Sequence, residues 1–310
     1  NFTKWVKYAN TLKLRMAMRI VNVAPALSKE KAEEAVNDSY GVMAEAGDAA
    51  FSSFNDGMNP FYRAAYTWNG GEFRASANIT SYLGGYKDPR LTIYVKESEE
   101  NGYVGVRNGI SQTASSFASY QKLSNVNVGE GDKLLVMSAA EAYFLRAEGA
   151  LRGWNMGGTA KELYETGIAV SMAEKGASVG DYLSSKAVPE AYTDPVNSKY
   201  NVVAASTICP AYDEMADFEV NLERIMVQKW IASYPSGWET WADIRRTGYP
   251  KLFPVGNNLS GGVVNTDRGM RRLPYPQSEY NTNLTNVNAA VGMLGGADNA
   301  GTDLWWAKKN

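Results

Sequence analysis

An indole set in a glycine-rich polar loop is the feature of this 310-residue chain best suited to chemistry at a surface. Trp68 lies in YTWNGGEF, between Thr67 and Asn69, with Gly70 and Gly71 behind it and Tyr62, Tyr66 and Phe73 close in sequence. Aromatic faces pack against the CH face of a sugar ring, while amide, carboxylate and guanidinium groups bond its hydroxyls. Tyr66, Trp68, Asn69, Arg74, Tyr82, Asp88 and Arg90 are the candidate set for such a ligand. Two alternatives stand beside that reading. Trp68 can plug its loop onto a scaffold, and Asp88-Pro89-Arg90 can be a structural turn with an internal ion pair.

Catalytic chemistry finds little support. The chain has no histidine, which removes Ser-His-Asp and Cys-His catalysis and His-ligated zinc or iron. Its one cysteine, Cys209, cannot form an internal disulfide. A carboxylate pair such as Asp213 with Glu214 or Asp217 would suffice for glycoside hydrolysis, but acidic pairs of this kind are usually solvated faces. No phosphate-binding loop, nucleotide fingerprint or nucleophile elbow occurs. Asp298 and Asp303 in GGADNAGTD offer oxygens to calcium, yet the alternating spacing and terminal Glu of a calcium loop are missing, and a solvated turn is the simpler reading. No cofactor is expected beyond that calcium option. Net charge is -2, and apart from pairs such as Arg245-Arg246 and Arg271-Arg272 the basic residues are dispersed, so nucleic acid is not an expected partner.

The elements that must hold the loop are helical. In NLERIMVQKWIASYPSGWETWADIRRTGYP (221–250), Leu222, Ile225, Met226 and Trp230 form one apolar stripe, Pro235-Ser236-Gly237 breaks it, and Trp238, Trp241 and Ala242 resume the spacing. Arg245 and Arg246 close this second helix before Gly248. An earlier pair runs over 1–47: Trp5, Tyr8, Leu12, Met16, Ile20 and Val23 advance by three or four, Pro25 stops the helix, and Ser28 is the expected N-cap of the next. A further pair begins at Met137, with Ala140, Tyr143, Phe144, Ala147 and Leu151, then Leu163, Ile168 and Met172. Trp5, Phe144, Trp230 and Trp241 lie on these stripes and are expected to pack in the core. From 48 to 133 the helical period gives way to Gly, Asn, Ser and aromatic residues, a stretch too long for an ordinary connection and too aromatic for disorder.

Four stretches, in order, resemble signatures of the SusD/RagB-like outer-membrane nutrient-binding lipoproteins of Bacteroidetes. They are NFTKWVKYANTLKLRMAMRI (1–20), MSAAEAYFLRAEGALRGW (137–154), QKWIASYPSGWETWADIRRTGYP (228–250) and RRLPYPQSEYNTN (271–283), with a closing LWWAKKN (304–310). The resemblance implies an all-α fold, a SusD-like superhelix of tetratricopeptide-like helix pairs with long irregular loop insertions. A single domain is expected, its scaffold at about 1–47, 134–177 and 213–247, its loop insertion at 48–133 and an irregular wrap at 248–310 pinned by Tyr275, Tyr280, Trp305 and Trp306. It further implies a non-catalytic protein on the outward face of the bacterial outer membrane. Its expected partners are an oligosaccharide or other nutrient and a SusC-like TonB-dependent transporter. Asn1 falls directly inside an amphipathic pattern, so a preceding portion is expected, and the resemblance implies that this portion carries an anchoring lipidated cysteine. The alternatives are a helical-repeat scaffold that binds only protein and an all-α polysaccharide-degrading enzyme.

Overall fold

The computed structural model describes residues 1–54 and 57–307, so the end of the closing LWWAKKN motif, residues 308–310, lies outside the described residues. Three antiparallel helix pairs make the scaffold. The first is α1 (Phe2–Arg19) with α2 (Pro25–Val36). Pro25 opens α2 rather than ending α1: its fixed φ suits the first helical position, where no amide partner is needed. Ser28, expected as a cap, is instead buried inside α2 and donates its hydroxyl to the Ala17 carbonyl at 2.7 Å, tying the pair together.

The insertion carries β1 (Ala50–Ser52), α3 (Pro60–Tyr62), α4 (Ala77–Tyr86), α5 (Leu91–Tyr94), β2 (Val95–Lys96), α6 (Ala114–Tyr120), β3 (Asn125–Val126) and β4 (Leu134–Met137). β1 pairs antiparallel with β4, and β2 with β3. The helical turn at α4 escapes a reading of amphipathic period because α4 is buried on nearly every side, Ala77 through Leu83 without a break. Gly85 shows why: a Cβ there would stand 2.2 Å from the Val188 carbonyl oxygen and 2.7 Å from the Glu190 amide nitrogen. Gly85→Ala should therefore cost about 1–3 kcal/mol of stability, since backbone rather than a flexible side chain must move. A urea midpoint unchanged from the parent would show that the 188–190 segment yields freely.

The second pair is α7 (Ala139–Leu151) with α8 (Ala160–Lys175), and the third is α9 (Phe218–Ser233) with α10 (Gly237–Thr247). Ser138 caps α7, and Thr159 with Glu162 forms a capping box on α8. α11 (Gln277–Thr282) and α12 (Leu284–Met293) interrupt the C-terminal wrap. Among the described residues no helix is long and apolar enough to cross a membrane.

The core is not purely apolar. Arg15 pairs with Glu141 at 2.6 Å, Lys229 lies 2.5 Å from Asp243 and 3.3 Å from Glu141, and Arg246 reaches Glu148 through both terminal nitrogens at 2.6 and 2.7 Å. These charges join α1, α7, α9 and α10. Burial alone would push the carboxyls up, but Lys229 and Arg15 hold Glu141 below the usual range, and Arg246 and Arg152 do the same for Glu148. A depressed folded pKa stabilises above the unfolded value and is lost as pH falls through the folded one. Stability should thus be level from neutral pH to about 5 and fall below about 4, with a shallower fall in Glu148→Gln. A urea midpoint that stays constant down to about pH 3 would remove these ion pairs from the account.

Two stripe residues depart from expectation. Phe144 is fully buried and Trp230 packs against the core, whereas Trp5 is 70% exposed. The buried residues of α1, Thr11, Leu14, Ala17 and Met18, all lie in its second half, and although Tyr8 packs against the core, the first turn, from Phe2 to Trp5, is exposed. Trp241 is half-buried by a different means: the Arg245 guanidinium stacks 3.7 Å from its ring centroid, and its indole nitrogen donates to the Met270 carbonyl at 2.9 Å.

Candidate functional site

The segment from Asn59 to Arg74 is built to present its middle. Asn59 caps α3 by accepting from the Phe61 amide at 2.8 Å, and its side-chain amide donates to the Asp132 carbonyl at 2.9 Å. The chain continues as a π-helical turn over Arg63–Thr67 and a tight turn over Trp68–Gly70. Asn69 adopts φ 46° and Gly71 φ 87°, left-handed conformations that fold the chain back under the indole. A Cβ on Gly71 would also stand 2.9 Å from the Ala65 carbonyl oxygen. Trp68 is left 63% exposed, Phe73 60%, and Asn69 is also at the surface.

Tyr66 and Arg74 hold this tip from beneath. The Tyr66 hydroxyl donates to the Val126 carbonyl, its ring leans on Tyr62 at 5.0 Å, and the Lys96 ammonium stands 4.5 Å above it. Arg74 donates through Nε to the Gln121 carbonyl at 2.8 Å and through Nη1 to the Gly71 carbonyl at 2.6 Å. Its guanidinium is a strut between the tip and the end of α6, so it braces the loop.

Tyr82, Asp88 and Arg90 are corrected as ligand contacts, since all three are buried away from any surface. Tyr82 stands edge-on to Trp230 at 5.2 Å and donates its hydroxyl to the Lys251 carbonyl at 2.7 Å. Arg90 donates to Asp88 at 2.9 and 2.7 Å, to Ser171 at 2.9 Å and to Gln228 at 3.0 Å. The turn reading of Asp88-Pro89-Arg90 describes this pair better, with the addition that the ion pair is an anchor between distant helices.

The acidic residues weighed for other chemistry are placed as follows. Asp213, Glu214 and Asp217 are exposed, with Glu214 3.3 Å from Lys161. Asp298 accepts from Arg272, from the Tyr275 amide and from the Tyr280 hydroxyl, and Asp303 from Arg271 at 2.6 Å and Arg268 at 2.7 Å. These arginines take up the oxygens a calcium ion would need. The C-terminal wrap is thus held by ion pairs as well as aromatics: Trp306 lies under Arg19 and Arg245, while Trp305 is exposed.

The exposed aromatic tip thus sits on a braced loop carried by paired helices. The chain belongs to the SusD-like family, described as Susd and RagB outer membrane lipoprotein, whose profile matches residues 1–307. Family members are non-catalytic binding proteins of the outer membrane. A chitin-binding SusD homolog from Flavobacterium johnsoniae is 44% identical, with a TM-score of 0.95, over 100% of this chain and 64% of its own. SusD homologs from Bacteroides uniformis and Bacteroides thetaiotaomicron are each 44% identical. Their TM-scores are 0.93 and 0.92, covering 100% and 99% of this chain and 66% and 65% of theirs. The chain therefore spans just under two thirds of the length of these relatives. No curated protein sequence matches it.

Proposed function

We propose that this chain is the capturing part of a surface glycan-binding lipoprotein, which takes an oligosaccharide through the Trp68 loop and hands it to a SusC-like TonB-dependent transporter. The observation that carries this is the 63% exposure of an indole whose backbone is locked on both sides. A ring fixed in place loses little entropy when a sugar stacks on it, and its exposed face is free to receive one. The chitin-binding activity of the Flavobacterium johnsoniae relative makes N-acetylated oligosaccharides the first class to try. Titration with chitin oligosaccharides and a panel of neutral glycans, following heat and tryptophan fluorescence, should give saturable binding and unaltered sugar. Release of reducing ends would replace this reading with an enzyme. Silence across the panel would replace it with a peptide-capturing or protein-binding role.

A further inference from the structure

Behind the Trp68 loop lies a cavity of about 330 Å³, at the small end of the size range of ligand pockets. Its lining includes Phe61 of α3, Tyr94 of α5, Asn127 and Lys133 of the β3 to β4 connection, Lys175 of α8 and Tyr234 after α9. The Tyr94 and Tyr234 rings meet at 5.1 Å with a 39° tilt, giving an aromatic wall. Lys175 is the last residue of α8, and its ammonium stands 5.5 Å from the Tyr94 ring centroid. It forms no ion pair among the described residues.

The nearest carboxylate in sequence is committed elsewhere: Glu174 accepts from the Ser138 hydroxyl at 2.6 Å and the Ala139 amide at 2.8 Å, capping α7. Asp132 also lines the cavity, but it accepts from the Gly129 amide at 2.7 Å within its own turn. Lys133, exposed beside it, adds a second ammonium. Lys175 and Lys133 thus bring two ammonium groups to the cavity, against Asp132 in its lining and Glu174 next to Lys175, both carboxylates already engaged by hydrogen bonds. Burial pushes the Lys175 ammonium down from its ordinary value, a cost that an entering anion would relieve.

We propose that this cavity receives the carboxylate-bearing end of an acidic sugar, with Lys175 on the carboxylate and the Tyr94–Tyr234 wall against the ring. An aromatic wall beside an ammonium that has no direct ion pair matches a hexuronic acid, which has a CH face and a carboxylate on one ring; a neutral hexose brings the ammonium no such partner. The proposal rests on the glycan-capture reading and names a ligand class for it.

Calorimetric titration with glucuronate and with glucose, against the parent chain, Lys175→Gln and Lys175→Arg, tests it. Glucuronate is expected to bind at least about tenfold more tightly than glucose. Lys175→Gln should weaken glucuronate about tenfold or more while Lys175→Arg retains it. Affinity of the parent chain for glucuronate should also fall with added salt, a reading that stands even where Lys175→Gln fails to fold. Glucuronate that does not bind while neutral oligosaccharides do overturns this inference and leaves the capture reading standing. Glucuronate binding untouched by Lys175→Gln, or insensitive to salt, puts the carboxylate elsewhere and also overturns it. Absence of binding by every sugar overturns both.

Discussion

Replacing Arg90 with methionine should lower the free energy of unfolding by about 3–5 kcal/mol. Arg90 is fully buried, and its guanidinium joins the turn after α4 to α8 through Ser171 and to α9 through Gln228, with Tyr182 stacked 5.6 Å away. Removing it strands the Asp88 carboxylate, itself without solvent contact, and an unpaired buried charge costs more than the pair contributes. The double variant Asp88→Asn with Arg90→Met should recover part of the loss, because the stranded charge goes with it. Urea unfolding of the three variants measures this. A loss below about 1 kcal/mol for Arg90→Met would mean that the pair is peripheral to stability.

The opposite balance is expected of Trp68. Trp68→Ala should weaken oligosaccharide binding by about 2 kcal/mol, roughly thirtyfold, as truncation of a central aromatic contact does. Its stability should change by no more than about 0.5 kcal/mol, because most of the indole already faces water. Trp68→Phe should fall between, keeping a smaller stacking face. Arg74→Gln offers the complementary case: its guanidinium touches backbone carbonyls of Gly71 and Gln121, so its loss should loosen the tip and weaken binding through position rather than contact. Titrations at matched folded fraction separate these outcomes. Unchanged affinity in Trp68→Ala would make the indole a plug for its own loop.

The three helix pairs were legible because their stripes are local: Leu222, Ile225 and Met226, or Ala140, Phe144 and Ala147, repeat at the helical period and are buried as that period requires. α4 was not, since a helix buried on nearly all sides has no polar face to set a period. Trp5 misleads for the converse reason. Its spacing is right for the stripe, but the stripe is uncovered at its first turn, half-covered at Tyr8 and buried only from Thr11 onward, and coverage depends on what the rest of the chain lays over it.

Of the seven residues chosen for a ligand, the loop chemistry around Trp68 and Asn69 could be read directly, because Gly and Asn beside an aromatic residue specify a tight exposed turn. Tyr82, Asp88 and Arg90 have the same residue types as a binding site and were separated from it only by packing. The Lys175 cavity left no mark in sequence, since Phe61, Tyr94, Lys133, Lys175 and Tyr234 are drawn together from separate elements. Sequence alone determined the three helix pairs of the scaffold, the lack of any histidine for catalysis or metal binding, and the family the chain resembles, as these follow from residue type and short-range spacing. Tertiary structure alone decided which polar groups are spent on one another inside the fold and which still face a ligand, because desolvation and pairing depend on neighbours far away in the chain.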